Sequence, residues 1–300
     1  MKTFDHYSIV IALNHLTDVV DAASQTNLFK DYVMPVFVVI LSAITAYLIA
    51  IRGYQFQEAS RNERAKADSL NTITLQMQNM QSNLIAIKQN YCDDIEFHPM
   101  QRALNVPTMP IRIETVNFKS NELVQLLHAS NVDIEKHPWM NIASFVATYS
   151  NYNMFVEILT LRNKLDEEVK RQVASLLPSA GPRGEIKTND IMKLLEESLV
   201  MKYIDLTEKL ITLVDDLLLT INDFLINFPK KASEPLKKKY LNNYVYLQNY
   251  INQSPAYEKS LVRCKEVDLF TLARIMKFDK NQARKMYIDS SIVITTPEIK

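Results

Sequence analysis

The sequence predicts a mainly α-helical protein. It has one N-terminal transmembrane helix, a heptad-patterned stalk helix and a cytosolic helical bundle with a minor two-stranded β element. Three observations carry this reading. Only 3 of the 300 residues are Gly; sandwiches, barrels and doubly wound sheets need Gly at their many positive-φ turns, so this scarcity disfavours these folds and a Gly-rich phosphate loop alike. Residues 32–51 contain no charged side chain. Residues 70–91 place apolar side chains at alternating spacings of three and four. Hydrophobic residues at 47% and charged residues at 23% give the composition of a folded protein.

Residues 1–31 read as an extracytoplasmic amphipathic segment. Ile9, Ala12, Leu13, Leu16, Val19, Val20 and Ala23 recur at helical spacing, with Asn14, Thr17, Asp18 and Asp21 largely opposite. Two aspartates inside a bilayer are costly, so this helix is expected to lie at the outer interface. Residues 32–51 (YVMPVFVVILSAITAYLIAI) form the span. A helix of that length covers roughly 30 Å, the thickness of the hydrocarbon core. Pro35 falls in its first turn, where a missing N–H costs little. Tyr32 and Tyr47 lie near the ends as interfacial aromatics do, and Ile51 closes the run before Arg52. The run is too long, and begins too late, for a cleaved signal peptide. Lys2 and Lys30 precede it, whereas Arg52, Arg61, Arg64 and Lys66 follow it. The positive-inside rule thus predicts a single-pass protein of the inner (cytoplasmic) membrane, N-terminus outside and C-terminal domain cytoplasmic. Cys92 and Cys264 form no CxxC pair, which suits a reducing compartment.

Residues 52–92 are expected to form a helical stalk. Leu70, Met77, Leu84 and Tyr91 occupy a positions, and Ile73, Met80 and Ile87 occupy d positions. So narrow a seam asks for a partner helix, and the sequence predicts a homo-oligomer joined along these seven residues.

Residues 93–300 form the cytosolic helical domain. Pro99, Pro107 and Pro110 break any helix at its start, and the alternation in residues 111–118 suggests a short strand that residues 292–296 could pair. His137-Pro138 opens a helix that runs to about Leu177. A second runs from Thr188 or Asn189 to Phe228, with the stripe Leu206, Leu210, Leu213, Leu217, Ile221, Phe224 and Phe228. Ser233-Glu234-Pro235 opens a third, to about Ser254. Three long helices with short connections suggest an antiparallel bundle, followed by a basic helical stretch over residues 267–286.

No catalytic signature stands out: the sequence lacks Walker A, GxSxG, HExxH and paired CxxC motifs. Nucleases of the HEPN type need a His shortly after an Arg-polar pair; Arg162-Asn163 has none, so no general base is supplied. Cys92, Asp93, Asp94, Glu96 and His98 are ligand types without a structural-zinc spacing. No metal and no cofactor is therefore expected. Charge is segregated: residues 93–228 carry 13 basic and 20 acidic groups, residues 229–300 carry 14 and 7. Within the basic end Lys230, Lys231, Lys237, Lys238 and Lys239 precede Tyr240, Tyr244, Tyr246 and Tyr250. These lysines are the candidates for an anionic partner; solvated lysines with core tyrosines are favoured over an anionic bilayer, and the bilayer over nucleic acid.

The layout of apolar anchor, stalk and small helical domain resembles the membrane-anchored effectors of bacterial defence systems, including retron-associated ones. That resemblance implies a domain that senses a cytosolic protein partner and an anchor whose clustering perturbs the bilayer. The reading is an oligomerising interaction or effector protein, favoured over an enzyme. Its competitors are a nuclease or lipid-acting hydrolase with an unrecognised site, and a membrane tether for nucleic acid.

Overall fold

The computed structural model describes residues 6–24, 28–109, 115–117, 120–127, 133–179, 186–241 and 243–297. The chain divides into two compact units, Met1–Asn62 and Glu63–Lys300. The first holds α1 (His6–Ser24), a π-helical turn (Phe29–Val33) and the beginning of α2 (Met34–Lys88). Every described side chain from residue 10 to residue 50 is exposed, the apolar ones included. The helix from Phe29 to Lys88 is the one described helix long and apolar enough to cross a membrane, with a mean hydropathy of 2.4 over its most apolar 18 residues.

The second unit is mainly helical. The rest of α2 is followed by α3 (Pro99–Asn105), α4 (Ser120–Leu127), α5 (Ile142–Val173), α6 (Thr188–Leu194), α7 (Glu197–Ser233), α8 (Lys238–Leu241), α9 (Pro255–Ser260), α10 (Leu269–Met276) and α11 (Lys280–Tyr287). Side-chain caps fix several starts: Asn141 accepts from Ala143 N–H at 3.0 Å, and Ser254 accepts from Tyr257 N–H at 3.2 Å. Helices α5 and α7 pack against each other. At one end of their contact Trp139, Phe145, Phe224 and Phe228 meet, with Trp139 edge-on to Phe224 at 5.0 Å and Phe145 edge-on to Phe228 at 5.1 Å. A second core cluster joins Met100 and Ala103 to Val169, Tyr203, Ile204, Leu272, Met276 and Tyr287.

Three sequence expectations need correction. The heptad residues Leu70, Ile73, Met77, Met80, Leu84, Ile87 and Tyr91 are all buried, and they belong to the same core as Phe155 of α5 and Leu217 of α7. The stripe thus meets its own domain. Over three heptads an a/d seam and the inner edge of a core helix share one period, so spacing alone does not tell them apart.

The third long helix is also absent. Helix α8 has four residues, Asn243 turns the backbone left-handed (φ 68°), and residues 244–254 are not helical. Asn71 of α2 takes up that segment: its side chain donates to Val245 O at 3.2 Å and accepts from Leu247 N–H at 2.8 Å. Tyr244 donates to Asp68 and Tyr250 to Gln81, both at 2.5 Å. Tyr244, Tyr246 and Tyr250 pack on the core, so side-chain bonds to α2 replace the ladder a helix would have made for itself.

The β element is not formed either. Residues 110–114 and 118–119 lie outside the described residues, and there is no strand among those described. In the other half of the expected pair, alternate amides turn toward α7: Ile292 N–H to Asp216 (2.9 Å), Ile294 N–H to Thr220 (3.1 Å), and Thr296 N–H to Asp223 (2.9 Å). β-Prone residues are satisfied here by a helix surface instead of a neighbouring strand. Two more asparagines use the same device. Asn153 of α5 bonds both N–H and C=O of Val116, and Asn163 does so with Met109.

Since Leu84 is fully buried, Leu84→Ala is expected to destabilise the domain by about 2–5 kcal/mol. Denaturant unfolding of the detergent-solubilised protein measures this. A stripe lying between copies would instead make the unfolding midpoint of the unaltered protein depend on concentration.

Candidate functional site

The strongest concentration of polar chemistry lies along α7, whose buried carboxylates organise the segments around them. Lys88, at the end of α2, is almost fully buried. Its ammonium forms an ion pair with Asp215 at 2.5 Å and donates to the carbonyls of Ser260 (2.8 Å) and Val262 (2.6 Å). The other oxygen of Asp215 accepts from Cys264 N–H at 2.7 Å. Two turns earlier, Glu208 pairs with Arg102 Nε at 2.8 Å, and Arg102 also donates to Glu96 O and Lys265 O. Burial raises the Glu208 carboxyl above its ordinary value, and Arg102 opposes that shift. Asp216 receives Arg263 at 2.5 Å and Ser291 Oγ at 3.2 Å. Asp223 accepts from the indole N–H of Trp139 at 2.6 Å.

A second buried network surrounds Arg162, whose side chain is fully buried. It donates to the carbonyls of Ala103, Val106 and Pro107 where α3 ends, and to Asp166 at 3.2 Å. Tyr203 donates to Asp166 at 2.5 Å, and its ring lies 5.3 Å from the guanidinium carbon. Burial pushes the Tyr203 hydroxyl well above its usual range. Arg162 thus neutralises the unpaired carbonyls of a helix terminus, and its neighbour Asn163 holds Met109. The Arg-polar pair has a structural occupation.

Two small cavities flank α7. One, of about 210 Å³, is mostly apolar and lies between α5, α7 and the C-terminal segment, with Met154, Ile158, Leu213, Met286 and Ile292 among its walls. The other, of about 220 Å³, is polar and includes Arg102, Glu208, Asp215, Arg263 and Cys264. Burial, followed by the charge of Asp215, pushes the Cys264 thiol up to about 12, so it stays protonated near neutrality. Among the described residues no group of His, Cys, Asp or Glu could hold a metal ion. Of the residues 92–98, Asp93 pairs with Lys259 at 2.6 Å, whereas His98 caps α3.

The span residues Tyr32, Pro35 and Tyr47 are exposed and Ile51 is half-exposed. The lysine candidates are not gathered onto the α7 carboxylates. Lys230, Lys237, Lys238 and Lys239 are exposed, and Lys231 pairs with Glu234 at 2.7 Å. Lys239 lies 4.6 Å from the ring centre of Tyr240. Lys237 is tied by its backbone, donating to Glu63 at 2.9 Å. Sequence reasoning missed the partners that do meet the carboxylates: Lys88, Arg102, Arg263 and main-chain N–H groups. Asp215-Asp216 and the β-prone tail were visible, but their mutual proximity depends on the tertiary path.

No family model matches the chain, and no curated protein or solved structure is similar to it.

Removing one member of the Lys88–Asp215 pair leaves the other charge buried. Lys88→Met is therefore expected to cost about 3–5 kcal/mol, and the double variant Lys88→Met/Asp215→Leu considerably less than the sum of the two single changes. Denaturant melts of the three variants test this coupling.

His98 gives a pH dependence. Its Nδ1 accepts from Met100 N–H at 3.2 Å, which requires the neutral ring; burial lowers its pKa below 6.5, Arg274 adds to this and Asp268 opposes it. The folded state binds the proton less readily than the unfolded one. The stabilisation is therefore complete above about pH 6.5 and is lost as pH falls toward the depressed folded value. Thermal melts between pH 7.5 and 5 should show this loss in the unaltered protein and a flatter profile in His98→Asn, which keeps a capping oxygen.

Proposed function

We propose that the protein is a single-span membrane protein whose helical domain is an interaction or effector module on the cytoplasmic side of the inner membrane. The carrying observation is the contrast within α2. The apolar side chains of its early part are exposed from residue 34 to residue 50, whereas further on one face of the helix, Ala67, Leu70, Ile73, Met77, Met80, Leu84 and Ile87, is buried in a core formed by the same chain. An apolar helix with no protein partner is stable in lipid, where its backbone bonds are satisfied internally. The excess of Arg and Lys after the span supports an outside N-terminus.

An interaction role is supported over an enzymatic one by how the polar groups are spent. Arg102 pairs with Glu208 and Arg162 with Asp166, both arginines also donate to main-chain carbonyls, and Asp215 meets Lys88 and the Cys264 N–H. Such groups set the path of the chain and leave little to act on a substrate. Association of copies, as in the effectors that the layout resembles, would fall to the exposed apolar surface of residues 10–50.

Topology provides the test. With Cys92→Ser and Cys264→Ala as background, Thr3→Cys is expected to react with a membrane-impermeant maleimide in intact cells, and a reporter after Lys300 to be cytoplasmic. Labelling only after lysis would reverse the orientation. Release of the chain by alkaline carbonate would remove the span.

A further inference from the structure

Helices α10 and α11 are eight residues each and are joined by only Lys277, Phe278 and Asp279. Both starts are capped by aspartate: Asp268 accepts from Phe270 and Thr271 N–H, and Asp279 forms a capping box with Gln282. Between them Lys277 takes the left-handed conformation (φ 57°, ψ 34°), the position usually given to Gly, and Phe278 N–H returns to Ala273 O at 3.0 Å. The two helices pack on each other and present Leu272, Ala273, Met276, Ala283 and Tyr287 inward. Tyr287 donates to Asp205 at 2.6 Å, which fastens α11 to α7. The outer surface of α11 has a different chemistry. Lys280, Asn281, Gln282, Arg284 and Lys285 are all exposed, and the helix contains no carboxylate.

We infer that α10–Lys277–α11 is a helix-turn-helix unit that binds double-stranded DNA, with α11 in the major groove. Two short helices on a three-residue turn, the second solvent-facing, are the arrangement by which this motif presents a reading helix. An α-helix with its side chains is roughly 10–12 Å across, which a major groove about 12 Å wide admits. The side chains suit both parts of such a contact. Lys280, Arg284 and Lys285 are cations for phosphates or guanine edges; Asn281 offers the paired donor and acceptor that adenine edges accept, while the Gln282 oxygen is held by the Asp279 N–H in the capping box. The ion pairs nearby are exposed and cheap to exchange: Arg284 with Asp289 at 3.5 Å and Lys277 with Glu197 at 2.8 Å. The deep, narrow major groove of double-stranded RNA would not admit the helix. An anionic bilayer would use the cations but not the amides. This inference names the class of partner for the module proposed above. Duplex binding does not need the anchor, so the two readings fail in different experiments.

The test uses the full chain in an uncharged detergent and a fluorescent 24-base-pair DNA duplex of mixed sequence, with binding read by anisotropy from 50 to 200 mM KCl. Micromolar or tighter binding that weakens steeply with salt is expected. The variant Lys280→Gln/Arg284→Gln/Lys285→Gln should bind at least tenfold more weakly at 100 mM and lose about 0.9 of a unit of log–log salt slope per phosphate contact removed. Removing as many charges elsewhere, in Lys230→Gln/Lys238→Gln/Lys239→Gln, should leave binding within about twofold. Asn281→Glu is a single exposed change that sets a carboxylate against the groove; it should give a comparable loss should the triple variant melt early. The inference is overturned by absence of binding at 50 mM KCl, by equal losses in the two triple variants, or by an Asn281→Glu protein that binds normally. Tighter binding to the same-sequence RNA duplex, or to phosphatidylglycerol vesicles, would also overturn it.

Discussion

A carboxylate withdrawn from water must be met by a cation or by N–H groups, or its burial costs several kcal/mol. Helix α7 buries three, Glu208, Asp215 and Asp216, and half-buries Asp205 and Asp223. Their partners come from far along the chain: Arg102, Lys88 and Cys264 N–H, Arg263 and Ile292 N–H, Tyr287, and Thr296 N–H. Between α9 and Pro297 the chain returns to this one helix at Arg263, Cys264, Tyr287, Ile292 and Thr296. Such pairs contribute modestly to net stability compared with apolar groups of the same volume. What they supply here is a path, because each misplaced partner would leave a charge alone in the core.

The same economy explains how a chain with so few glycines manages its irregular segments with no strand among the described residues. Main-chain N–H and C=O groups near the core need partners wherever they run. Asn71, Asn153 and Asn163 each provide a donor and an acceptor from a rigid helix, imitating the edge of a strand one residue at a time. Arg162 performs the corresponding task for the carbonyl end of α3. Long helices thus act as both wall and ladder.

The helical class and the apolar run were legible because they depend on local composition and on length. The start of α5 was legible near its Pro, and so was the α7 stripe from Leu210 to Phe228, although Leu206 is only half-buried and the expected helix is interrupted at residues 195–196. Leu70 to Tyr91 were rightly seen as a stripe that must be covered, but the covering surface is non-local and period says nothing about it. Tyr244 to Tyr250 misled for a related reason. Their spacing suits a helix, yet bonds to Asp68, Asn71 and Gln81 across more than 160 residues of sequence outweigh that weak preference. The candidate site was hidden in the same way: Asp215 and Lys88 are ordinary charged residues until the fold brings them to 2.5 Å.

The tail against α7 is recognised through its main chain. Asp216, Thr220 and Asp223 contact the amides of residues 292, 294 and 296, and Asp223 accepts from the Thr296 hydroxyl as well. Such a contact constrains evolution unusually: it tolerates drift at 293 and 295, requires only apolar bulk at 292 and 294, and forbids one amino acid at every second position. Proline cannot donate, so it is excluded at 292, 294 and 296 and admitted between them. The first proline in this stretch, Pro297, stands at an off-beat position.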